Sequence, residues 1–339
     1  MFKTGIIIFI LCFTGYYVWG KRPASAANID QTKETVRVYL NKKEAAEYLL
    51  KSNYYKEQNR LSVSLKTKGA IAYTDENYRE DYRKYVESHL HNWTENDIEH
   101  LNDDFSEILP VIKRYASKVI QDTIFLIKSD KELEFSAPFT KRKAIVIPDK
   151  IVTKNINPVL THELFHIFSS NHPKDREKLY NLIGFEKINP VQLPDTMSKM
   201  LISNPDDNRS NDYKITLQAD GKKQDFIMLI FSKYPKYEGR KGLLSKLDIL
   251  LGYMTIRLVP VVKTNGHWEV APNAKYYYPG ETQGFYEKVS YIHDYMLSPE
   301  EILAEDFAKL INLKMKPKSM KRLTPGEKAF FRQMELLLN

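Results

Sequence analysis

Residues 157-NPVLTHELFHIFSSNHP-173 constrain this chain more than any other stretch. Val159, Leu160, Leu164, Phe165, Ile167 and Phe168 make it strongly apolar. Asn157 followed by Pro158 reads as a helix N-cap with proline at the first helical position. The pattern predicts a buried helix that ends near Asn171-His172-Pro173. Its polar exceptions are His162, Glu163 and His166, and burying three such groups without partners is costly. Histidines at i and i+4 lie on one helix face, one turn apart. Both imidazoles can therefore reach one ion at about 2.0–2.1 Å. The glutamate after the first histidine projects beside that ion. There it can take a proton from water whose pKa zinc lowers toward about 7. The alternative is a pair of core histidines hydrogen-bonded to carboxylates.

Catalytic zinc needs a third protein ligand and one open position. The compact H-E-x-x-H-x-x-G-x-x-H spacing fails, because Ile167, Phe168, Ser169, Ser170, Asn171 and His172 follow His166. The better candidate lies in 298-SPEEILAEDFAKL-310, where Glu301 and Glu305 are one turn apart. With Ala304 and Ala308 they form a stripe of carboxylates and small side chains that another helix can approach closely.

This pair of helices resembles the gluzincins, zinc peptidases with H-E-x-x-H and a glutamate on a later helix. The pattern Glu301-x-x-Ala304-Glu305-x-Phe307 is similar to that of the anthrax lethal factor-type peptidases. The resemblance implies an α+β, zincin-like metallopeptidase fold and one Zn2+ per chain, held by His162, His166 and Glu301. It also implies Glu163 as general base and Glu305 as an acid supporting a histidine ligand. Tyr295, six residues before Glu301, matches the place where those peptidases put an oxyanion donor, with Tyr286, Tyr291 and His293 nearby. With 22 tyrosines in the chain, packing is the ordinary meaning of any one of them. The resemblance covers about thirty residues, and the intervening segment is much longer than in the thermolysin type. A competing reading remains for the second helix. Ser298-Pro299-Glu300-Glu301 is itself a capping box, which would use Glu301 to close the helix start and leave Glu305 as the ligand.

The N-terminus bears on location. Lys3 precedes the apolar run 5-GIIIFILCFTGYYVW-19, and Ala24-Ser25-Ala26 is a small-x-small cleavage pattern. Residues 1–26 thus read as a signal peptide, with an uncleaved membrane anchor as the alternative. A lipoprotein signal at Cys12 is disfavoured by Leu11 before it. The expectation is a secreted or otherwise extracytoplasmic protein that touches a membrane only through that segment. Cleavage would leave 48 basic against 43 acidic side chains, a formal +5, which gives little ground for nucleic-acid binding. It would also remove the only cysteine, leaving His and carboxylate as the natural zinc ligands.

At 42% hydrophobic residues the 339-residue chain can bury one large or two modest cores. Two parts are expected: a mainly helical region over 27–120 and a catalytic domain over 121–339. Helical spacing marks 42–59, 75–90, 94–119, 175–182, 282–296, 299–313 and 325–338. Strand-like runs mark 61–73, 123–128, 144–148, 213–219, 225–231 and 253–262. The run 144-AIVIP-148 fits an edge strand that could hold an extended peptide or protein substrate. The basic stretch 314-KMKPKSMKR-322 reads as a solvated connection, or less simply as a polyanion or membrane contact. The function classes in play are an exported zinc peptidase, a non-catalytic binding or envelope-associated protein of the same fold, and a polyanion or membrane-surface binder.

Overall fold

The computed structural model describes residues 35–207, 210–239, 249–289 and 292–339. The expected signal or anchor over 1–26, with Cys12, lies outside these residues, as does Tyr291. No helix among the described residues is long and apolar enough to cross a membrane.

The fold is mixed α+β and contains two five-stranded sheets. The first comprises β1 (Val36–Tyr39), β2 (Leu90–His91), β3 (Thr123–Ser129), β4 (Phe139–Lys141) and β5 (Ala144–Pro148). β1, β3 and β5 run parallel, and β4 turns back antiparallel on β5 with Thr140 opposite Ile145. The second is an antiparallel meander of β6 (Phe185–Lys187), β7 (Tyr213–Ala219), β8 (Lys222–Ser232), β9 (Met254–Thr264) and β10 (His267–Val270). β1 comes from the region before residue 120 and β3 from the region after it, so one sheet takes strands from both.

Two long helices pack against each other, and the first of them also contacts β4 and β5. The motif helix spans Asn157–Asn171 and the glutamate helix spans Pro299–Met315. Both are apolar on most sides, as helices covered by other elements must be. Ala304 and Ala308 are buried, and their small side chains let the two helices approach closely. Phe165 and Phe307 meet across the gap with ring centroids 5.7 Å apart. One core joins Ile145 and Ile147 of the first sheet, these helices, and Phe226 and Leu258 of the second sheet. Each such side chain contributes roughly 1.5–3 kcal/mol on burial.

Several expected elements differ. The 61–73 strand is instead a helix, Arg60–Lys66, capped by Asn59, whose side chain accepts from the Ser62 N–H at 2.7 Å. Leu61 through Lys66 are all buried, so the apolar–polar alternation there marks no solvent face. The 42–59 helix breaks into Lys42–Leu49 and Tyr54–Glu57. Of the expected 282–296 helix, only Phe285–Lys288 is helical among the described residues. The strand 144–148 is interior, paired with β3 on one side and β4 on the other. The sheet edge is β4, whose three residues are too few to show a periodic signal.

Candidate metal centre

The motif helix starts at Asn157, with Ile156 at its cap and Pro158 in its first turn. Asn157 ties the helix start to its neighbour by donating from Nδ2 to Glu107 at 2.6 Å. This orientation sends His162, Glu163 and His166 toward the glutamate helix and β4.

The Nε2 atom of His162 lies 3.2 Å from Oε2 of Glu301, and Nε2 of His166 lies 3.8 Å from the same oxygen. One ligand atom from each of the three residues lies within 4.8 Å of the other two. Tetrahedral zinc with bonds near 2.0–2.1 Å separates its ligands by about 3.3 Å, so these atoms stand near coordination spacing. His166 is fully buried, and its Nε2 has no hydrogen-bond partner. A buried polar atom without a partner is unfavourable unless something binds it. The donor set therefore fits a zinc ion.

The opposite faces of the rings are also held. Nδ1 of His166 lies 2.9 Å from Glu300, which fixes the proton on Nδ1 and aims the Nε2 lone pair at the cluster. Glu300 in turn accepts from Ser169 at 2.7 Å and from Tyr180 at 2.6 Å. Nδ1 of His162 lies 3.5 Å from Glu305. Glu301 thus faces the two Nε2 atoms and Glu305 faces the back of one ring. Ser298 does cap the glutamate helix, through the Glu301 backbone N–H at 3.3 Å. The Glu301 carboxylate turns away from that cap toward the histidines and accepts from Asn204 at 2.6 Å.

Glu163 is buried beside this cluster. Thr140 of β4 donates to its carboxylate at 2.7 Å and to its carbonyl at 3.1 Å. Burial raises the Glu163 pKa, against the lowering influence of both histidines and Thr140. Burial opposes protonation of the histidines, but the surrounding carboxylates prevail. Glu301, Glu305 and Glu163 raise His162 well above its ordinary value, and the charges of Glu301 and Asp206 with the Glu300 hydrogen bond raise His166 to about 9. Glu301 is the counterpart. Burial would raise it, yet His166, His162 and Asn204 hold it at about 2.

Tyr295 lines the same cleft, its ring centroid 6.1 Å from that of His162. Burial and the charges of Glu301 and Asp206 push its pKa well up, so it is a neutral phenol able to donate. His293 faces the Ile302 carbonyl at 3.1 Å and Asp306 at 3.4 Å, and Tyr286 is exposed. His172 is engaged with the Phe168 carbonyl at 3.0 Å. The cleft has apolar walls from Phe135, Phe139, Ile202, Ile230, Met254 and Leu297.

Sequence reasoning missed Glu300, Thr140, Asn204 and Asp206. Glu300 stood in view inside the capping sequence, but only the phase of the helix shows which way it points. The other three reach the site from segments with no periodic pattern. No protein-family model, curated protein or solved structure matches this chain.

Proposed function

We propose that the chain is an exported, zincin-like zinc peptidase. The observation that carries this reading is the convergence of His162 Nε2, His166 Nε2 and one Glu301 oxygen, with the His166 nitrogen buried and without a hydrogen-bond partner. Histidines serving only as hydrogen-bonded core residues would have that atom paired. His162, His166 and Glu301 would hold the ion, with Glu300 and Glu305 orienting the rings from behind.

A zinc ion held by these residues would supply Lewis acidity and would lower the pKa of a bound water. The side chains do the rest. Glu163 accepts a proton as water adds to the peptide carbonyl, then delivers it to the leaving nitrogen as the C–N bond breaks. Its raised pKa suits that exchange, and Thr140 holds its carboxylate in place. Tyr295 donates toward the oxygen on which negative charge develops. The outer edge of β4, where Asp206 accepts from the Thr140 N–H, is the strand that an extended peptide or protein substrate would join. Residues 1–26 would deliver the chain outside the cytoplasm as a cleaved signal, or anchor it to a membrane if uncut.

The test uses residues 27–339. Bound zinc is quantified, and cleavage of a broad peptide library is compared between wild type and Glu163→Gln. About one zinc per chain, with cleavage lost in the variant, is the expected result. Zinc without cleavage supports the non-catalytic class, and absence of zinc removes the site.

A further inference from the structure

Segment 203–207 crosses the mouth of the metal centre and takes up the free edge of β4. The outward N–H of Thr140 donates to Asp206. Lys141 Nζ donates to the Pro205 carbonyl. Asn204 donates to the Glu301 oxygen that faces away from the histidines. Ser203 anchors the segment on the other side, with its hydroxyl 2.9 Å from that of Ser62. A peptide adding to β4 needs the Thr140 N–H, and that donor already has its acceptor.

Asp206 also faces the metal ligands. One ligand atom each from Asp206, Glu163 and His166 lies within 4.8 Å of the others. His166, whose Nε2 is buried and without a hydrogen-bond partner, belongs to this group and to the His162–His166–Glu301 group alike. His166 thus stands between the Glu301 carboxylate of one group and the Glu163 and Asp206 carboxylates of the other. A catalytic zinc site leaves its fourth position open, whereas a site closed by four protein ligands does not turn over.

We propose that Asp206 is the fourth protein ligand of the ion, and that segment 203–207 is a strap that holds the centre closed until it lifts off β4. This rests on the zinc-site reading above. Strap and substrate exclude each other twice, at the Thr140 N–H and at the fourth ligand position. The apparent affinity for an occupant of the cleft falls by the fraction of molecules in which the strap is raised. Freeing the strap restores that fraction.

The experiment uses the 27–339 chain carrying Glu163→Gln, so that nothing is turned over, loaded with zinc or cobalt. A hydroxamate-terminated peptide is titrated calorimetrically with and without Asp206→Asn. We expect binding at least about tenfold tighter in the double variant. We also expect its cobalt visible spectrum, recorded without peptide, to differ from that of the parent. Lys141→Met provides an independent release, since it removes the Pro205 anchor and leaves every metal-facing group in place. It should tighten peptide binding in the same direction even where Asp206→Asn folds poorly. Unchanged or weaker binding in both variants, with identical cobalt spectra, overturns the strap. A chain that takes up neither metal overturns the site itself, a failure that metal analysis distinguishes before any peptide is added.

Discussion

Nδ1 of His166 lies 2.9 Å from Glu300, and that carboxylate is held in turn by Ser169 and Tyr180. Such a partner fixes the tautomer and raises the basicity of a ligating imidazole. Its loss typically weakens metal binding by about 10–100-fold. Glu300→Gln should therefore lower zinc affinity within that range, measured by competition with a chromophoric chelator. Glu305→Gln should do less, because its contact with His162 is longer, at 3.5 Å. Equal effects would place both acids on the same footing.

Thr140 holds Glu163 by a 2.7 Å hydrogen bond that favours the ionised carboxylate. Thr140→Val keeps the shape and removes the bond, so the Glu163 pKa rises further. The acidic limb of the kcat/KM profile should move to higher pH, with zinc content unchanged. Thr140→Ser should bring the limb back. A flat response in the acidic limb would detach Thr140 from the base.

Lys141 gives the clearest pH dependence of stability. Burial lowers its pKa to about 8, against the raising charges of Asp206 and Glu134. The unfolded chain holds that proton up to the ordinary value of 10.5, so between about 8 and 10.5 it binds more protons than the folded chain. The Lys141 penalty is therefore full below pH 8 and relieved as pH rises through that window. Urea unfolding of metal-free wild type and Lys141→Met at pH 7, 8 and 9 isolates this contribution. The stability difference in favour of the variant should shrink as pH rises. A difference that stays constant would assign Lys141 an ordinary pKa.

Ala304 is fully buried where the glutamate helix meets the motif helix. Ala304→Leu forces extra methyl groups into a packed seam, at a cost of about 1–3 kcal/mol. The helices must part, which separates Glu301 from His162 and His166. Thermal unfolding should show the loss, and zinc affinity should fall with it. Retained zinc affinity in a destabilised protein would show that the ligands do not depend on this seam.

What could be read in advance divides by the distance over which each signal is carried. His162 and His166 were legible because helix geometry alone puts them on one face, and Glu163 because it directly follows the first histidine. Glu301 was legible as one of two carboxylates, since spacing narrows the choice and only the helix phase resolves it. Glu300 was hidden by a competing local role, because a glutamate after Ser-Pro belongs equally well to a cap. Thr140 and Asp206 were out of reach: Thr140 sits on a three-residue strand, and Asp206 lies in a connection whose course depends on contacts with β4 and β8. The Leu61–Lys66 helix was misread because a segment buried on all sides loses the solvent face that makes alternation meaningful.

The site joins partners far apart along the chain, with His162 and Glu301 separated by 139 positions and His166 and Glu300 by 134. A chain interrupted anywhere between the two helices carries both imidazoles and the base but lacks Glu300, Glu301 and Glu305. During synthesis the centre can close only after the glutamate helix, Pro299–Met315, emerges. Fragments and chains that stop short of that helix would therefore carry the recognisable motif without the assembled centre.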